Sequence, residues 1–382
     1  MDHDVKRGVA RGALMTPGPD PAAIPQTMAP LFAMLTDMKG QDLHLAAGAP
    51  PSIRIDGDLV RLPMSLLTPG EIADLVQLLL TPAQRESFAR ERELDFAMAD
   101  EGGRFRCNVY QQRGSVAFTA RRILEHIPSA ADLGLPTFLG DAALRKQGFI
   151  LIVGPNGHGK STTLAWMIEH INQHRRANII TIEDPIEFHF EHKLSNVNQR
   201  EVGVDTRSFS EGLHRVVRQN PDVVVVGELR DYDSIATAVS AAQTGHLVLA
   251  TIHSVNATAT IDRLIEFYPS HEQSLARSQL AESLLLVLSQ RLIKRAAGAG
   301  RVLAWEKLAS SPRVKHAIRE GRVASLRALM QSAHEDLVPM DKNIAELIAR
   351  RVIAREEGLR FAENPSYIED VVAALHAKRA VT

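Results

Sequence analysis

Nine consecutive residues, Gly154-Pro155-Asn156-Gly157-His158-Gly159-Lys160-Ser161-Thr162, carry the spacing G-x-x-x-x-G-K-[ST] in full. The pattern constrains the fold because it works only where a buried strand runs into a tight loop and a helix leaves it. Both flanks are present. An apolar run at 149–153 precedes the loop, and Leu164, Met167, Ile168 and Ile171 recur behind it at helical spacing. Glycines let successive amides curl around a phosphate chain, and the helix N-terminus adds the positive end of its dipole. Lys160 is placed to neutralise β/γ-phosphate charge, and the Ser161 hydroxyl to ligate Mg²⁺. A chance glycine-rich turn would not need the strand and helix around it, so nucleotide binding is the reading that follows. The His158 amide can still donate to a phosphate. Its side chain is expected to point to solvent or to the ring edge of a nucleotide.

Apolar strands alternate with helices around this loop, the rhythm of a parallel α/β sheet. Strands are predicted at 148–153, 178–182, 222–226 and 246–251, and helices at 160–173, 207–219 and 231–242. From Gln273 the chain reads mostly helical, apart from short strands near 290–295 and 301–308. Upstream the pattern differs. Leu31, Phe32, Met34, Leu35 and Met38 form the apolar face of a short helix ending near Gly40. Residues 42–62 alternate like strands around an Asp56-Gly57 hairpin turn. Thr68 is expected to N-cap a helix, with Glu71 completing a capping box. A second hairpin turns at Arg113-Gly114, between 104–110 and 115–122. The expected organisation is a disordered proline-rich tail over 1–28 and a small α+β domain over 29–122. A linker over 123–136 then leads to an α/β domain over 137–365 with a helical C-terminal part, and to a tail over 366–382.

In 382 residues, 44 Lys and Arg stand against 45 Asp and Glu, a formal charge of −1. That balance excludes a bulk electrostatic grip on nucleic acid or anionic lipid, local patches aside. The one cysteine, Cys107, excludes an internal disulfide framework and any four-cysteine zinc site. The longest apolar runs are strand-sized, far below the ~18 residues that span a bilayer. The first residues lack the ~7–15-residue apolar core of a secretory signal. A cytoplasmic protein is expected, reaching any membrane through a partner.

Three carboxylates, Glu183, Asp184 and Glu187, follow the second strand of the α/β rhythm, at the strand end where ligands collect in such sheets. One of them is a candidate to orient and deprotonate an attacking water; a solvated acidic turn is the plain alternative. Asp222 opens a run of four valines that ends in Gly227 and Glu228. An acid just past a buried strand is where phosphate-loop proteins steady Mg²⁺ and its waters. His246 and His253 bracket the next strand. His246 reads equally as a satisfied structural histidine, whereas His253, past the strand end, is better placed to sense a γ-phosphate.

Between 102 and 124 lie Arg104, Arg106, Arg113, Arg121 and Arg122, with no acidic residue. Alternation with period two puts Arg104, Arg106, Asn108 and Tyr110 on one face and Phe105, Cys107 and Val109 on the other. Three readings stand. The face is solvated, or Phe105 or Tyr110 stacks on single-stranded nucleic acid. Or the arginines serve phosphates held by a neighbouring domain or subunit, as in a ring whose sites are completed across an interface.

Taken together, the stretches GPNGHGKSTTLAWMI, TIEDPIEFHF, NQREVGVDTRSF, NPDVVVVGELRD, TGHLVLATIHS and ATIDRLIEFYP resemble the type IV pilus retraction ATPases. These form the twitching-motility PilT/PilU family of the wider secretion ATPase superfamily, and the likeness runs over about residues 30–362. It implies a RecA-like P-loop NTPase domain with a smaller N-terminal α+β (PAS-like) domain and a helical C-terminal region. It implies ATP and Mg²⁺ as ligands. The nucleotide would be cradled by Gly154, Pro155, Asn156, Gly157, His158, Gly159, Lys160, Ser161 and Thr162, with Arg104, Arg106 and Arg113 approaching from the N-terminal domain.

The same resemblance distributes the chemistry. Glu187 matches the position usually regarded as the catalytic glutamate, with Glu183 and Asp184 in the same acidic box. Glu228 is the Walker B acid, and His246 and His253 match the histidine box. Catalytic roles are thus implied for Glu187, Glu228, Glu183 and His253, and metal contacts for Ser161, Glu228 and Asp184. The implied activity is that of an ATP-hydrolysing homo-hexameric motor for pilus retraction. The alternatives are an accessory subunit with little activity of its own, or a related secretion or DNA-uptake ATPase. Implied partners are a second retraction ATPase and an inner-membrane pilus platform protein, without direct nucleic acid and without zinc. Two departures stand out. Asn156 and His158 replace residues that are usually small hydroxyls in the family, and its C-terminal AIRNLIRE is here RVKHAIRE over 313–320.

Overall fold

Among the described residues, the two rhythms of the sequence build two separate sheets, one of six strands and one of eight. The computed structural model describes residues 24–100, 103–123, 127–298, 300–331 and 336–380. The chain divides after Arg122 into two compact units.

In the first unit, α1 (Ala29–Asp37) leads to β1 (Asp42–Leu45), β2 (Ser52–Ile55) and β3 (Asp58–Arg61). Asp56 and Gly57 turn the β2–β3 hairpin with φ of 51° and 94°, the paired positive values of a primed turn. Next come α2 (Pro69–Leu79) and α3 (Pro82–Glu91), each opened by a complete capping box, Thr68 with Glu71 and Thr81 with Gln84. Strands β4 (Glu93–Asp100), β5 (Gly103–Gln112) and β6 (Ser115–Ile123) complete a sheet ordered β3-β2-β1-β6-β5-β4. Its core is built on Phe32, which stacks on Phe105 at 4.2 Å between ring centroids.

That core corrects one expectation. Phe105, Cys107 and Val109 are all fully buried, so Phe105 offers no ring to a nucleic-acid base. Nor is the arginine face free of acids once folded. Strand β4 lies beside β5, and Asn108 donates at 3.3 Å to each of Glu93 and Asp95. Arg121 is paired at 2.7 Å with the buried Asp42, which also takes Arg54 at 3.5 Å. Of the expected N-terminal tail, residues 1–23 lie outside the described residues. At its end, Ile24 and Met28 instead pack on this core.

The second unit starts with α4 (Ala130–Leu133) and α5 (Phe138–Ala143), so the expected linker 123–136 carries a capped helical turn. Residues 124–126 of it lie outside the described residues. The α/β alternation follows as β7 (Gly148–Val153), α6 (Lys160–His174), β8 (Asn178–Glu183), β9 (Asn196–Glu201) and α7 (Phe209–Val216). It continues with β10 (Val223–Val226), α8 (Tyr232–Gln243), β11 (Leu247–Ile252), α9 (Ala257–Glu266) and α10 (Gln273–Ser283). Then come β12 (Leu284–Lys294), β13 (Arg301–Ala309), α11 (Pro312–Arg319), α12 (Val323–Gln331) and β14 (Leu337–Val338). Helices α13 (Met340–Ala349), α14 (Arg355–Leu359) and α15 (Pro365–Ala380) close the chain.

The sheet order is β14-β13-β12-β7-β11-β10-β8-β9. The strands from β12 to β9 run parallel, and β13 and β14 add antiparallel edges. Strands β7, β10 and β11 are buried at every position, because hydrophobic clusters cover both faces of the sheet. In register, Val153 lies beside Ile252, Val226 beside Ala250, and Ile182 beside Val226. The carboxyl ends of β7, β8, β10 and β11 therefore meet at one edge, where open parallel sheets bind ligands.

Three expectations change here. The strand expected near 290–295 begins six residues earlier, because α10, which ends at Ser283, passes directly into β12 at Leu284. The helix expected at 207–219 is confined to Phe209–Val216, and Asn220 beyond it has a φ of 52°. The expected tail beyond 365 is instead helical through Ala380, and Ile368 anchors it in a cluster with Ile344 and Ile348.

Candidate functional site

The loop between β7 and α6 needs glycine for steric reasons. Gly154 has a φ of 144°, and a Cβ there would lie 2.6 Å from the Gln290 carbonyl oxygen of β12. Gly159, with a φ of 82°, N-caps α6 in a conformation that side chains rarely adopt. The loop then folds over Lys160, which is 8% exposed. Its ammonium donates to the carbonyls of Gly154 at 2.9 Å and Pro155 at 3.0 Å. Burial pulls the lysine pKa down, and the charges of Glu228 and Glu187 push it back up.

Strand β12 holds this loop from outside. The Leu292 N–H donates to His158 Nδ1 at 2.8 Å, and the Gln290 amide donates to the Thr163 hydroxyl at 2.8 Å. Arg301 of β13 donates to the Gly157 carbonyl at 3.2 Å. His158 was expected to face solvent or the ring edge of a nucleotide; its Nδ1 is instead bound to the backbone of β12. Burial, with Arg291, Arg301 and Lys160 nearby, lowers its pKa to about 4, so the ring is neutral and its Nδ1 is free to accept. Ser161 is exposed in the first turn of α6.

The acidic residues divide. Glu183, the last residue of β8, accepts from the Thr181 hydroxyl at 2.6 Å and from Gln199 at 3.0 Å. Desolvation raises its pKa against those hydrogen bonds. Beyond it the acidic segment is laid along β9. Gln199 also donates to the Phe188 carbonyl at 2.7 Å and accepts from Phe190 N–H at 3.1 Å, while Glu201 accepts from Ile186 N–H at 3.1 Å. Glu187 is fixed within this segment, close enough for its charge to act on Lys160.

Glu228 follows β10 through Gly227, where a Cβ would meet the Ile182 carbonyl at 3.2 Å. Its Oε1 lies 3.0 Å from His253 Nε2, and its Oε2 2.7 Å from Arg230, which also reaches Asp184 at 3.6 Å. His253, past the end of β11, places its Nδ1 3.3 Å from the Lys160 ammonium. An acceptor Nδ1 toward Lys160 leaves Nε2 as the protonated nitrogen that donates to Glu228. Lys160, His253, Glu228, Arg230 and Asp184 thus form one connected chain across four loops.

His246 does not join them. It precedes β11 at the opposite end, with Nδ1 at 2.9 Å from the Ala241 carbonyl and 3.3 Å from the Thr244 hydroxyl. A six-residue strand separates the two histidines by roughly 20 Å at ~3.3 Å per residue. Arg104, Arg106 and Arg113 belong to the first unit, on β5 and its turn; Arg113 lines a groove there of about 910 Å³ with Arg92 and Tyr110. Arg230 was missed from the sequence, although a cation two residues past a strand-end acid is a visible signal.

The comparison with known proteins agrees with this geometry. The family described as type II/IV secretion system protein matches residues 136–371. The chain belongs to that family. Among its relatives, the type IV pilus retraction ATPase PilT of Pseudomonas aeruginosa is 39% identical over 337 residues, covering 88% of this chain and 98% of that protein. The type IV pilus ATPase PilU of the same organism is 36% identical, covering 87% of this chain and 88% of that protein. A crystal structure of the pilus retraction motor PilT with bound ADP superposes with a TM-score of 0.80 at 40% identity, covering 90% and 99% of the two chains. The secretion ATPase fold, an N-terminal domain followed by an ATPase domain, is therefore the fold of this chain. Among the described residues no helix is long and apolar enough to cross a membrane.

Proposed function

We propose that this chain is an ATP-hydrolysing motor of the pilus-retraction class, working as a homo-hexamer. The observation that carries the reading is the Lys160–His253–Glu228 chain at the carboxyl edge of the sheet, beneath a complete phosphate loop. The amides from Gly154 to Thr162 hold the phosphates of ATP, and Lys160 exchanges its loop carbonyls for phosphate oxygens. Glu187 takes a proton from water as that oxygen attacks the γ-phosphorus, and the bond to the bridging oxygen breaks to release ADP. His253 reports the γ-phosphate to Glu228. Arg104, Arg106 and Arg113 supply positive charge to the phosphates from an N-terminal domain.

Ser161, Glu228 and Asp184 would hold Mg²⁺. They offer only hard oxygen donors, and a nucleotide-bound Mg²⁺ needs one or two protein ligands beside phosphates and waters. The ion supplies charge neutralisation of the phosphates.

Further parts of the reading are the cytoplasmic face of the inner membrane as the place of work and a pilus platform protein as the partner that receives motion. A second retraction ATPase is a further partner. The similar identities to PilT and PilU, 39% and 36%, favour one other role, that of an accessory ATPase beside such a motor. ATP turnover measured against protein concentration, beside size-exclusion light scattering, tests the assembly. Activity that rises with hexamer formation supports it, and a fully active monomer refutes it. Turnover found only on addition of a second retraction ATPase favours the accessory role.

A further inference from the structure

Glu306 is a carboxylate that the proposed reaction does not use. It lies on β13, 4% exposed, opposite Ser289 of β12. A buried acid is costly unless donors surround it. Here its Oε1 accepts the Ala257 N–H at 2.6 Å and its Oε2 the Met340 N–H at 3.3 Å. These are the first residues of α9 and α13, so two helix dipoles end on one side chain.

The loop between β11 and α9 is short and carries His253 at its start. Downstream of His253 it is tied at three successive residues to the C-terminal part of the chain. The Val255 carbonyl accepts from the Arg291 guanidinium of β12. The Asn256 amide donates to Glu363 at 2.6 Å, and the Ala257 N–H is held by Glu306. Glu363 in turn donates its N–H at 3.0 Å to Asp341, in the first turn of α13. Upstream, His253 bridges Lys160 and Glu228.

We propose that Glu306 is a positioning residue for the nucleotide site: by holding the starts of α9 and α13 together, it fixes the loop that aims His253 between Lys160 and Glu228. Binding of phosphate at Lys160 draws on His253, and the strain passes through Ala257 to Glu306 and from there to α13. The C-terminal helices are thereby linked to the occupancy of the site. Truncating the carboxylate releases the His253 loop without touching any group that meets nucleotide.

The inference rests on the proposed ATPase reading, and the test separates the two. Steady-state ATP turnover is measured for the full chain, for Glu306→Gln, Glu306→Ala and His253→Ala, and for the double variant Glu306→Ala/His253→Ala. Wild-type chain without turnover, both alone and with a second retraction ATPase added, would discard the ATPase reading itself. With turnover present, Glu306→Ala is expected to lower kcat about tenfold or more, with the ATP KM changed less than about threefold. Glu306→Gln, which keeps one acceptor, should recover part of the loss. Because both residues act through one group, the double variant should fall no more than about threefold below His253→Ala. Losses that multiply in the double variant, or wild-type kcat in Glu306→Ala, overturn the assignment. If neither Glu306 variant folds, Glu306 serves folding alone and the assignment is equally overturned.

Discussion

His253 Nε2 lies 3.0 Å from Glu228 Oε1, and the other nitrogen of the same ring is 3.3 Å from Lys160. One imidazole therefore joins the lysine of the phosphate loop to the acid that follows β10. Its tautomer is set by its neighbours, an ammonium donor at Nδ1 and a carboxylate acceptor at Nε2. Replacing His253 by Ala is expected to lower kcat about 10²-fold, the scale of one lost electrostatic contact in an active site. Fluorescent ADP binding should change far less, since Lys160 and the loop amides remain.

Glu183 and Glu187 are four positions apart but differ in their surroundings. Thr181 and Gln199 both donate to Glu183 Oε1, which ties that carboxylate to β8 and β9. Glu187→Gln is expected to reduce turnover about 10²-fold or more while ATP still binds. Glu183→Gln should retain turnover within roughly tenfold and lose stability, because an amide cannot accept from both partners with the strength of a carboxylate. Kinetics and thermal melts of the two variants decide the point; equal kinetic losses would return Glu183 to the reaction.

The His158 ring accepts the Leu292 N–H at 2.8 Å. In His158→Ala that donor loses its partner, at a cost of about 1–3 kcal/mol in a urea titration. The linkage has a definite sign. With the folded pKa near 4 against an ordinary 6.5, the folded chain binds this proton more weakly than the unfolded chain. Its contribution is complete above about pH 6.5 and is lost as pH falls toward 4. His158→Ala should therefore show a shallower loss of stability over that window than the wild type.

Glu306 has the opposite slope. Burial first, then the charge of Glu363, raises its pKa to about 7 from an ordinary 4.5, against the pull of its two N–H bonds and Arg291. The folded chain holds this proton more tightly, so the favourable contribution is complete below about pH 4.5 and is lost as pH rises to about 7. At ~1.4 kcal/mol per unit, the loss amounts to about 3 kcal/mol. Urea midpoints of Glu306→Gln across that range should lack it, and an unchanged slope would place the titration elsewhere.

Much of this was legible in the chain itself, and the exceptions have physical causes. The phosphate loop, β7 and the valine strand announce themselves through local pattern, as do both hairpin turns and the Thr68–Glu71 cap. Strand β9 does not, because only Val197 of its residues is buried and its polar side chains serve the acidic segment. The start of β12 is hidden because the run 284–288 is apolar and follows a helix without a breaking residue. Helix α15 looks like a tail because few of its residues reach the core, Ile368 foremost. Glu306 looks like an ordinary polar position in an alternating strand; only the arrival of two helix ends, 49 and 34 residues away in the chain, gives it a task. The place of the His158 ring is hidden for the same reason, since Leu292 lies 134 residues distant.

The most direct measurement of the central claim is ATP turnover by the purified full chain with Mg²⁺, set beside Lys160→Ala at matched oligomeric state. The expected result is measurable turnover in the wild type and a loss of about 10²-fold or more in the variant, with weakened nucleotide binding. Equal turnover and equal nucleotide affinity in the two chains would contradict the assignment of this loop as the catalytic nucleotide site.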